Sequence, residues 1–223
     1  DLEFSHDGYK MFVSFGSHTV TTAEGDIVYG YELSSPYDIS TCSYSDNKTT
    51  NLDGKLNGSL AGDDIAPAKQ VRLQGLEFNN SGTKMFLLFL GDGNDINGDT
   101  RKERLLEYNL STPYDLTNIT LVENAGINLT GSSFANPMGM RFSKNGKRLF
   151  IVDHNKMAIG QISLNVAFST ASYTIDGTIV IRNIPTANDH NQPRGIALGP
   201  NGIKIYVGTD RVNSGNDGAD SVS

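Results

Sequence analysis

The sequence predicts an all-β fold assembled from repeated four-stranded antiparallel units. One phrase occurs four times, and each copy is a short apolar strand, a turn with glycine at a fixed place, a basic residue and a second apolar strand. The turn glycines are Gly8, Gly82, Gly146 and Gly202. Glycine suits a left-handed backbone, so each turn is expected to be a tight hairpin. No segment has a sustained 3.6-residue apolar period, so helices are not expected.

The spacing of this phrase indicates a repeat architecture. Corresponding residues are Phe4, Phe78, Phe142 and Leu198, which lie 74, 64 and 56 residues apart along the chain. These intervals exceed the roughly 40–50 residues of compact repeats built from four strands. They accommodate one four-stranded sheet with long loops.

A second phrase supplies the other two strands of each unit. Leu-Ser-Ser-Pro-Tyr-Asp at residues 33–38 matches Leu-Ser-Thr-Pro-Tyr-Asp at residues 110–115, and a degenerate copy occupies residues 162–173. Pro36 and Pro113 fall in the turn, where a missing N–H costs least. Each unit therefore has four strands, called a to d in chain order. Short turns join a to b and c to d, and longer loops join b to c and d to the next a.

Four-stranded units in tandem predict a β-propeller of four-stranded antiparallel blades. Residues 1–223 are expected to form one partial domain of about three and a half blades, with units starting near residues 1, 75, 139 and 195. Rings contain roughly 4–8 blades, and blades of this length favour a segment of a ring of about six to eight. A small four-bladed ring closed by other means is the alternative. Aromatic residues in one slot of strand b are expected to be buried between sheets: Phe12, Phe86, Phe150 and Tyr206.

Two stretches carry a family resemblance. Residues 192–208 read Gln-Pro-Arg-Gly-Ile-Ala-Leu-Gly-Pro-Asn-Gly-Ile-Lys-Ile-Tyr-Val-Gly, and residues 136–153 follow the same pattern. They resemble the inner-strand signature of the broad NHL, YVTN and lactonase-like β-propellers. The Leu-Ser-Thr-Pro-Tyr-Asp phrase resembles a repeat of marine microbial surface and phage-associated proteins. The resemblance covers nearly the whole chain and implies the fold. It does not imply an activity, because propellers host many functions.

Composition excludes several classes of function. The net charge of −7 argues against binding nucleic acid through its phosphates. No apolar run approaches the roughly 20 residues that span a bilayer, so no membrane span is expected in this segment. The single cysteine, Cys42, leaves no internal disulfide. We expect an extracellular, cell-surface or virion location.

One loop is the best candidate for a metal site. Residues 91–100 read Gly-Asp-Gly-Asn-Asp-Ile-Asn-Gly-Asp-Thr, between strands b and c of the second unit. Side-chain oxygens there are suited to Ca²⁺. The candidate ligands are Asp92, Asn94, Asp95, Asn97 and Asp99. Their spacing departs from the EF-hand loop, and the alternative is a long loop that stays soluble because it is charged.

Six polar residues are candidates for a ligand pocket around the ring axis: Arg72, Asn136, Asp153, His154, His190 and Arg194. Asp153 and the two histidines suit acid–base chemistry. In the first two units, however, Phe15 and Phe89 align with Asp153. A site built on only two neighbouring loops is more simply polar surface, so no catalytic centre is expected.

The lactonase resemblance implies a Glu/Asn/Asp set at the axial mouth. Glu3 and Glu77 lie in strand a of the first two units, but the matching residues of the next two units are Arg141 and Ala197. No lactonase residue is therefore carried over.

Three functions remain open. The first is a non-enzymatic extracellular or virion-associated propeller that mediates binding, adhesion or assembly, with a protein or glycan partner or with further blades or copies. The second is a secreted calcium-dependent lactonase-like hydrolase. The third is a carbohydrate-binding surface scaffold.

Overall fold

Antiparallel β-sheets account for nearly all of the regular structure in the computed structural model. The structure describes residues 1–16, 27–49, 52, 71–91, 103–122, 125–129, 134–181, 190–212 and 221–222. Within these ranges the only helix is a 3-10 turn at Ile39–Thr41. None of the described segments is a helix long and apolar enough to cross a bilayer. The predicted all-β fold is confirmed.

The first two sheets follow the chain in order. The first contains Leu2–Phe4 (β1), Lys10–Phe15 (β2), Ile27–Leu33 (β3) and Cys42–Lys48 (β4). The second contains Val71–Phe78 (β5), Lys84–Gly91 (β6), Arg104–Leu110 (β7), Ile119–Leu121 (β8) and Ile127–Asn128 (β9). Strands β8 and β9 both pair with β7, so they form the outer edge of the second sheet in two pieces.

The third and fourth sheets repeat the arrangement. The third contains Pro137–Phe142 (β10), Arg148–Asp153 (β11), Ala158–Val166 (β12) and Ser169–Val180 (β13). In the fourth, the described strands are His190–Leu198 (β14), Ile205–Val212 (β15) and Ser221–Val222 (β16). All pairings between neighbouring described strands are antiparallel, as the hairpin turns require.

Register confirms the alignment of the four units. In every sheet, the same position of strand a pairs with the same position of strand b. The pairs are Glu3 with Phe12, Glu77 with Phe86, Arg141 with Phe150, and Ala197 with Tyr206. One repeated sequence phrase therefore produces one repeated hairpin.

Apolar cores lie between consecutive sheets. Phe12 of the first sheet packs on Phe78 of the second, with ring centroids 4.6 Å apart. Phe86 packs on Phe142 of the third sheet at the same separation. A smaller core around Val152 joins the third and fourth sheets. Sheets stacked face to face in succession through apolar cores, with their first strands in contact, form a β-propeller.

Two of the four aromatic residues in the strand b slot depart from the predicted burial. Phe12 and Phe86 are fully buried. Phe150 is half-buried, and Tyr206 is 41% exposed. The expectation was wrong for Tyr206 because it lies on the face of the fourth sheet that no described strand covers.

The two repeated sequence phrases meet in a contact that we call the ring lock. In each of the first three units, an aromatic residue of the c–d turn lies over the glycine of the a–b turn. Its backbone N–H donates to the carbonyl oxygen of that glycine at 2.8–2.9 Å. The pairs are Tyr37 on Gly8, Tyr114 on Gly82, and Phe168 on Gly146. The ring lock is a physical reason for the two phrases to recur together.

A buried polar contact ties the second and third sheets together. The carboxylate of Glu107 on β7 is fully buried. It accepts hydrogen bonds from the ammonium of Lys84 at 2.5 Å and from the backbone N–H and hydroxyl of Thr170 at 2.7 and 2.9 Å. A buried charge needs such partners, and here they come from both sheets.

Candidate functional site

The first strand of each sheet lies next to the first strands of neighbouring sheets. Strand β10 contacts β5 on one side and β14 on the other, and β1 contacts β5. Equivalent residues of these strands therefore converge on the ring axis. This convergence places Glu3, Glu77 and Arg141 together, although they are far apart in the sequence.

These three residues form a charge cluster, called here the axial cluster. The Arg141 guanidinium donates a hydrogen bond to the Glu3 carboxylate. The same nitrogen, Nη1, lies 3.2 Å from Oε2 of Glu77. The Glu77 side chain is 8% exposed, whereas those of Glu3 and Arg141 are 19% and 24% exposed. One cation thus serves two carboxyl groups, one of them almost fully buried.

Burial controls the protonation of the axial cluster. It raises the pKa of Glu77 from 4.5 to about 8, against the opposing attraction of Arg141. Burial also raises the pKa of Glu3 despite the same neighbour. For Arg141, burial alone would lower the pKa, but the two carboxyl groups hold it above its ordinary value. Burial therefore favours the protonated form of Glu77, while the two carboxyl groups favour the charged form of Arg141.

A β-bulge recurs at one place in three inner strands. The pairing register slips between Leu73 and Gly75 on β5, and equivalent slips occur on β10 and β14. The residues left unpaired by the bulges are Gln74, Met138 and Arg194. A bulge redirects the side chain of its extra residue, and bulges are common beside functional sites.

All three bulge residues line one cavity beside the axial cluster. The cavity has a volume of about 370 Å³. Its polar lining includes Asp1, Gln74, Arg141 and Arg194, and Met138 contributes an apolar wall. The volume is in the range of small-molecule pockets, and the lining residues include two arginines, an aspartate, a glutamine and apolar side chains.

Gly139 lets β10 and β14 approach each other at this cavity. A Cβ atom at Gly139 would lie 2.7 Å from the carbonyl oxygen of Arg194. Such a contact would force the two strands apart. The glycine therefore allows Met138 and Arg194 to line the same cavity.

Three of the predicted ligand-binding residues come together at the end of β11. Oδ2 of Asp153 accepts the backbone N–H groups of Ala135 and Asn136 at 2.5 and 2.8 Å. Its Oδ1 accepts the N–H of Lys156 at 2.8 Å. The N–H of His154 donates to the carbonyl oxygen of Asn136 at 2.9 Å. These contacts give the fully buried Asp153 a structural role, and its role in ligand binding stays a prediction.

The other predicted ligand-binding residues are spread along two inner strands. Arg72 is half-buried on β5, and the backbone of His190 pairs with Val212 at the start of β14. Arg194 is exposed and lines the axial cavity. Of the six predicted residues, the structure therefore brings Asn136, Asp153 and His154 together and places Arg194 at the cavity.

The predicted cation site lies outside the described residues. Its candidate ligands are Asp92, Asn94, Asp95, Asn97 and Asp99. Among the residues that the structure does describe, no group of three or more His, Cys, Asp or Glu side chains is arranged to hold a metal ion. The Ca²⁺ hypothesis for residues 92–99 stays a prediction.

Sequence reasoning missed the axial cluster and two of the three bulge residues, Gln74 and Met138. Glu3 and Glu77 were compared with Arg141 as failed copies of one motif, although unlike charges at one repeated position attract when these positions converge. The bulges also have a sequence signal, because Gly75, Gly139 and Gly195 precede the same apolar residue of strand a. A glycine inside a strand often marks a bulge.

Comparison with known proteins supports the fold. Neither a scan against family models nor a search of curated proteins found a match. Among solved structures, exo-β-1,3-galactanase of Phanerochaete chrysosporium matches with a TM-score of 0.53 and 12% identity, over 97% of this chain and 45% of the galactanase. Hydrazine synthase of Kuenenia stuttgartiensis matches with a TM-score of 0.52 and 13% identity, over 92% of this chain and 54% of the synthase.

A periplasmic gluconolactonase of Pseudomonas aeruginosa also matches, with a TM-score of 0.49 and 10% identity, over 98% of this chain and 66% of the lactonase. The chain spans about half the length of the galactanase and synthase chains. At these identities the likeness to the galactanase and the synthase shows the fold alone.

Proposed function

We propose that this chain belongs to a non-enzymatic binding propeller whose axial cavity takes a small acidic carbohydrate. The observation that carries the proposal is the convergence of three bulge residues, Gln74, Met138 and Arg194, on one cavity that Arg141 also lines. A sugar acid offers a carboxylate for a guanidinium group, hydroxyls for an amide and an apolar C–H face for a methionine.

Binding is favoured over catalysis because the acidic side chains near the site already have partners within the protein. The Asp153 carboxylate accepts three backbone N–H groups, and Glu3 and Glu77 are held by Arg141. Recognition of an acidic glycan on a surface suits the adhesion or assembly role proposed from the sequence. An extracellular, cell-surface or virion location is part of the same proposal.

Titration calorimetry with galacturonate, and with galactose as the neutral comparison, tests the binding proposal. We expect the acid to bind more tightly than galactose, and Arg194→Ala to weaken acid binding about tenfold or more because a charged hydrogen bond is lost. The matched control is Lys204→Ala, which removes an exposed positive charge away from the cavity. The proposal fails if the parent gives no heat with the acid, or if both variants weaken binding equally.

Lactone hydrolysis is a second candidate, favoured by the Glu77 carboxyl, which lies buried beside Arg141 and whose pKa burial raises to about 8. A general acid works best when its pKa lies near the working pH. For a hydrolase, turnover of an aldonolactone should fall as pH rises through about 8, and Glu77→Gln should abolish it. The assay is run with Ca²⁺ and with a chelator. If the folded parent has no turnover under either condition, this candidate is rejected.

A further inference from the structure

Arg141 belongs both to the axial cluster and to the lining of the axial cavity. It donates a hydrogen bond to the Glu3 carboxylate, and its Nη1 atom lies 3.2 Å from Oε2 of Glu77. The same residue lines the cavity of about 370 Å³ that the proposed function assigns to an acidic sugar. A guanidinium group has five N–H donors, so contacts with two carboxyl groups leave donors for a third. The two glutamates and an acidic ligand therefore share one cationic partner.

The charges around the cavity become unbalanced when an acidic ligand enters. Among the described residues, Arg141 and Arg194 are the basic residues of the lining, and Asp1 is its acidic residue. Together with Glu3 and Glu77, three carboxyl groups lie near two guanidinium groups, and a ligand carboxylate adds a fourth. Charges of one sign at such short range repel each other, and burial strengthens the repulsion. Uptake of one proton by a carboxyl group would relieve it.

Glu77 is the carboxyl group best placed to take this proton. Its side chain is 8% exposed, whereas that of Glu3 is 19% exposed and accepts the hydrogen bond of Arg141. Burial raises the pKa of Glu77 to about 8, against the charge of Arg141, which lowers it. A ligand carboxylate on Arg141 offsets that opposing charge. The pKa of Glu77 therefore rises further when an acidic ligand binds.

We propose that the axial cavity takes an acidic ligand together with one proton, that Glu77 holds this proton, and that Arg141 couples the two. This coupling rests on the proposed function and adds a determinant of selectivity to it. Because linkage is reciprocal, a lower pH tightens the binding of an acidic ligand. A neutral sugar does not change the charge balance around Arg141, so its binding is independent of pH. Glu77 acts on the ligand through Arg141 and is a positioning residue.

Calorimetry in two amine buffers of different ionisation enthalpy tests the coupling. The difference between the binding enthalpies of galacturonate in the two buffers gives the number of protons that the protein takes up. Uptake should be near zero at about pH 6, well below the raised pKa of Glu77, and should approach one proton at about pH 9. The Kd of galacturonate should rise at least about fivefold over the same range, and that of galactose should stay constant.

Glu77→Gln and Glu3→Gln form a matched pair of variants, because the two glutamates occupy equivalent positions of the repeat. Glu77→Gln should abolish the proton uptake and should bind galacturonate at about pH 9 as tightly as the parent does at about pH 6. Glu3→Gln should keep the uptake but move it to lower pH, because the Glu3 charge raises the pKa of Glu77. Glu32→Gln, in an exposed ion pair with Lys10, is the control and should behave like the parent.

The outcomes separate a failure of the coupling from a failure of the proposed function. Galacturonate that binds the parent with the same enthalpy in both buffers at every pH would overturn the coupling and leave the proposed function intact. Proton uptake that persists in Glu77→Gln but disappears in Glu3→Gln would overturn the assignment to Glu77. If galacturonate does not bind the parent at any pH, the proposed function and the coupling are both rejected.

Discussion

The environment of Glu77, and therefore its pKa, is evident only from the structure. In the sequence it is one glutamate in an apolar strand. In the fold it is buried at the ring axis beside Arg141, and its pKa rises to about 8. Because burial opposes the charged form, the folded chain holds the Glu77 proton more tightly than the unfolded chain does.

A pH dependence of stability follows from this shift. The contribution of Glu77 is fully present below its ordinary pKa of 4.5 and is lost as pH rises through about 8. We expect the free energy of unfolding of the parent to fall between pH 5 and 8, relative to Glu77→Gln, by on the order of 2–4 kcal/mol.

Urea unfolding at several pH values measures this difference. Glu3 shifts in the same direction and is present in both proteins. Glu32→Gln is the control, since that carboxylate is 58% exposed and pairs with Lys10 at the surface. Parallel pH profiles for the parent and Glu77→Gln would contradict the account of the axial cluster.

At the scale of the element, each unit is a pair of hairpins held together by the ring lock. The a–b and c–d turns of a unit are far apart in the sequence. In the fold, however, the aromatic ring of the c–d turn covers the glycine of the a–b turn. Tyr37, Tyr114 and Phe168 also adopt positive φ angles of 51–58°, which are uncommon for aromatic residues. The contact with glycine offsets that strain.

Two glycine substitutions separate the contact from the backbone strain. Gly82 and Gly202 have φ angles of 68° and 70°, but within the part of the chain that the structure describes only Gly82 is covered by a ring. Alanine at either position should cost about 1 kcal/mol for the backbone, and at Gly82 a further 1–3 kcal/mol or so for overpacking against Tyr114. Thermal and urea unfolding of both variants give the comparison. Equal losses of stability would mean that the ring adds nothing.

The elements were largely predictable because they depend on local pattern. Alternating apolar residues and turn glycines suffice for the strands and hairpins, and the register of the four hairpins agrees with the aligned phrases. The burial of Phe150 and Tyr206 was not predictable in this way, since it depends on which neighbouring sheet covers each face. The burial of a side chain depends on how the sheets assemble, whereas each hairpin depends only on its own repeated sequence phrase.

At the scale of the whole molecule, the site arises where inner strands from different units meet. Arg141 joins Glu3 and Glu77 across more than one sheet, and Gln74, Met138 and Arg194 reach one cavity from three strands. Single-sequence reasoning found Arg194 but no other residue of the cavity lining. Side chains that the ring geometry brings together form no local sequence motif. The only sign of them in the sequence is that they occupy equivalent positions of the repeat.

Methyl NMR of the chain labelled at its methionines tests the axial cavity most directly. The chain has 5 methionines, of which Met138 and Met140 line the cavity. Met85 is fully buried in the core between the first and second sheets and serves as an internal reference. The account predicts that galacturonate shifts the methyl signals of Met138 and Met140 in a saturable manner and leaves Met85 unmoved, and that Arg194→Ala weakens the effect. Unchanged signals at Met138 and Met140, or equal shifts at all five methionines, would contradict it.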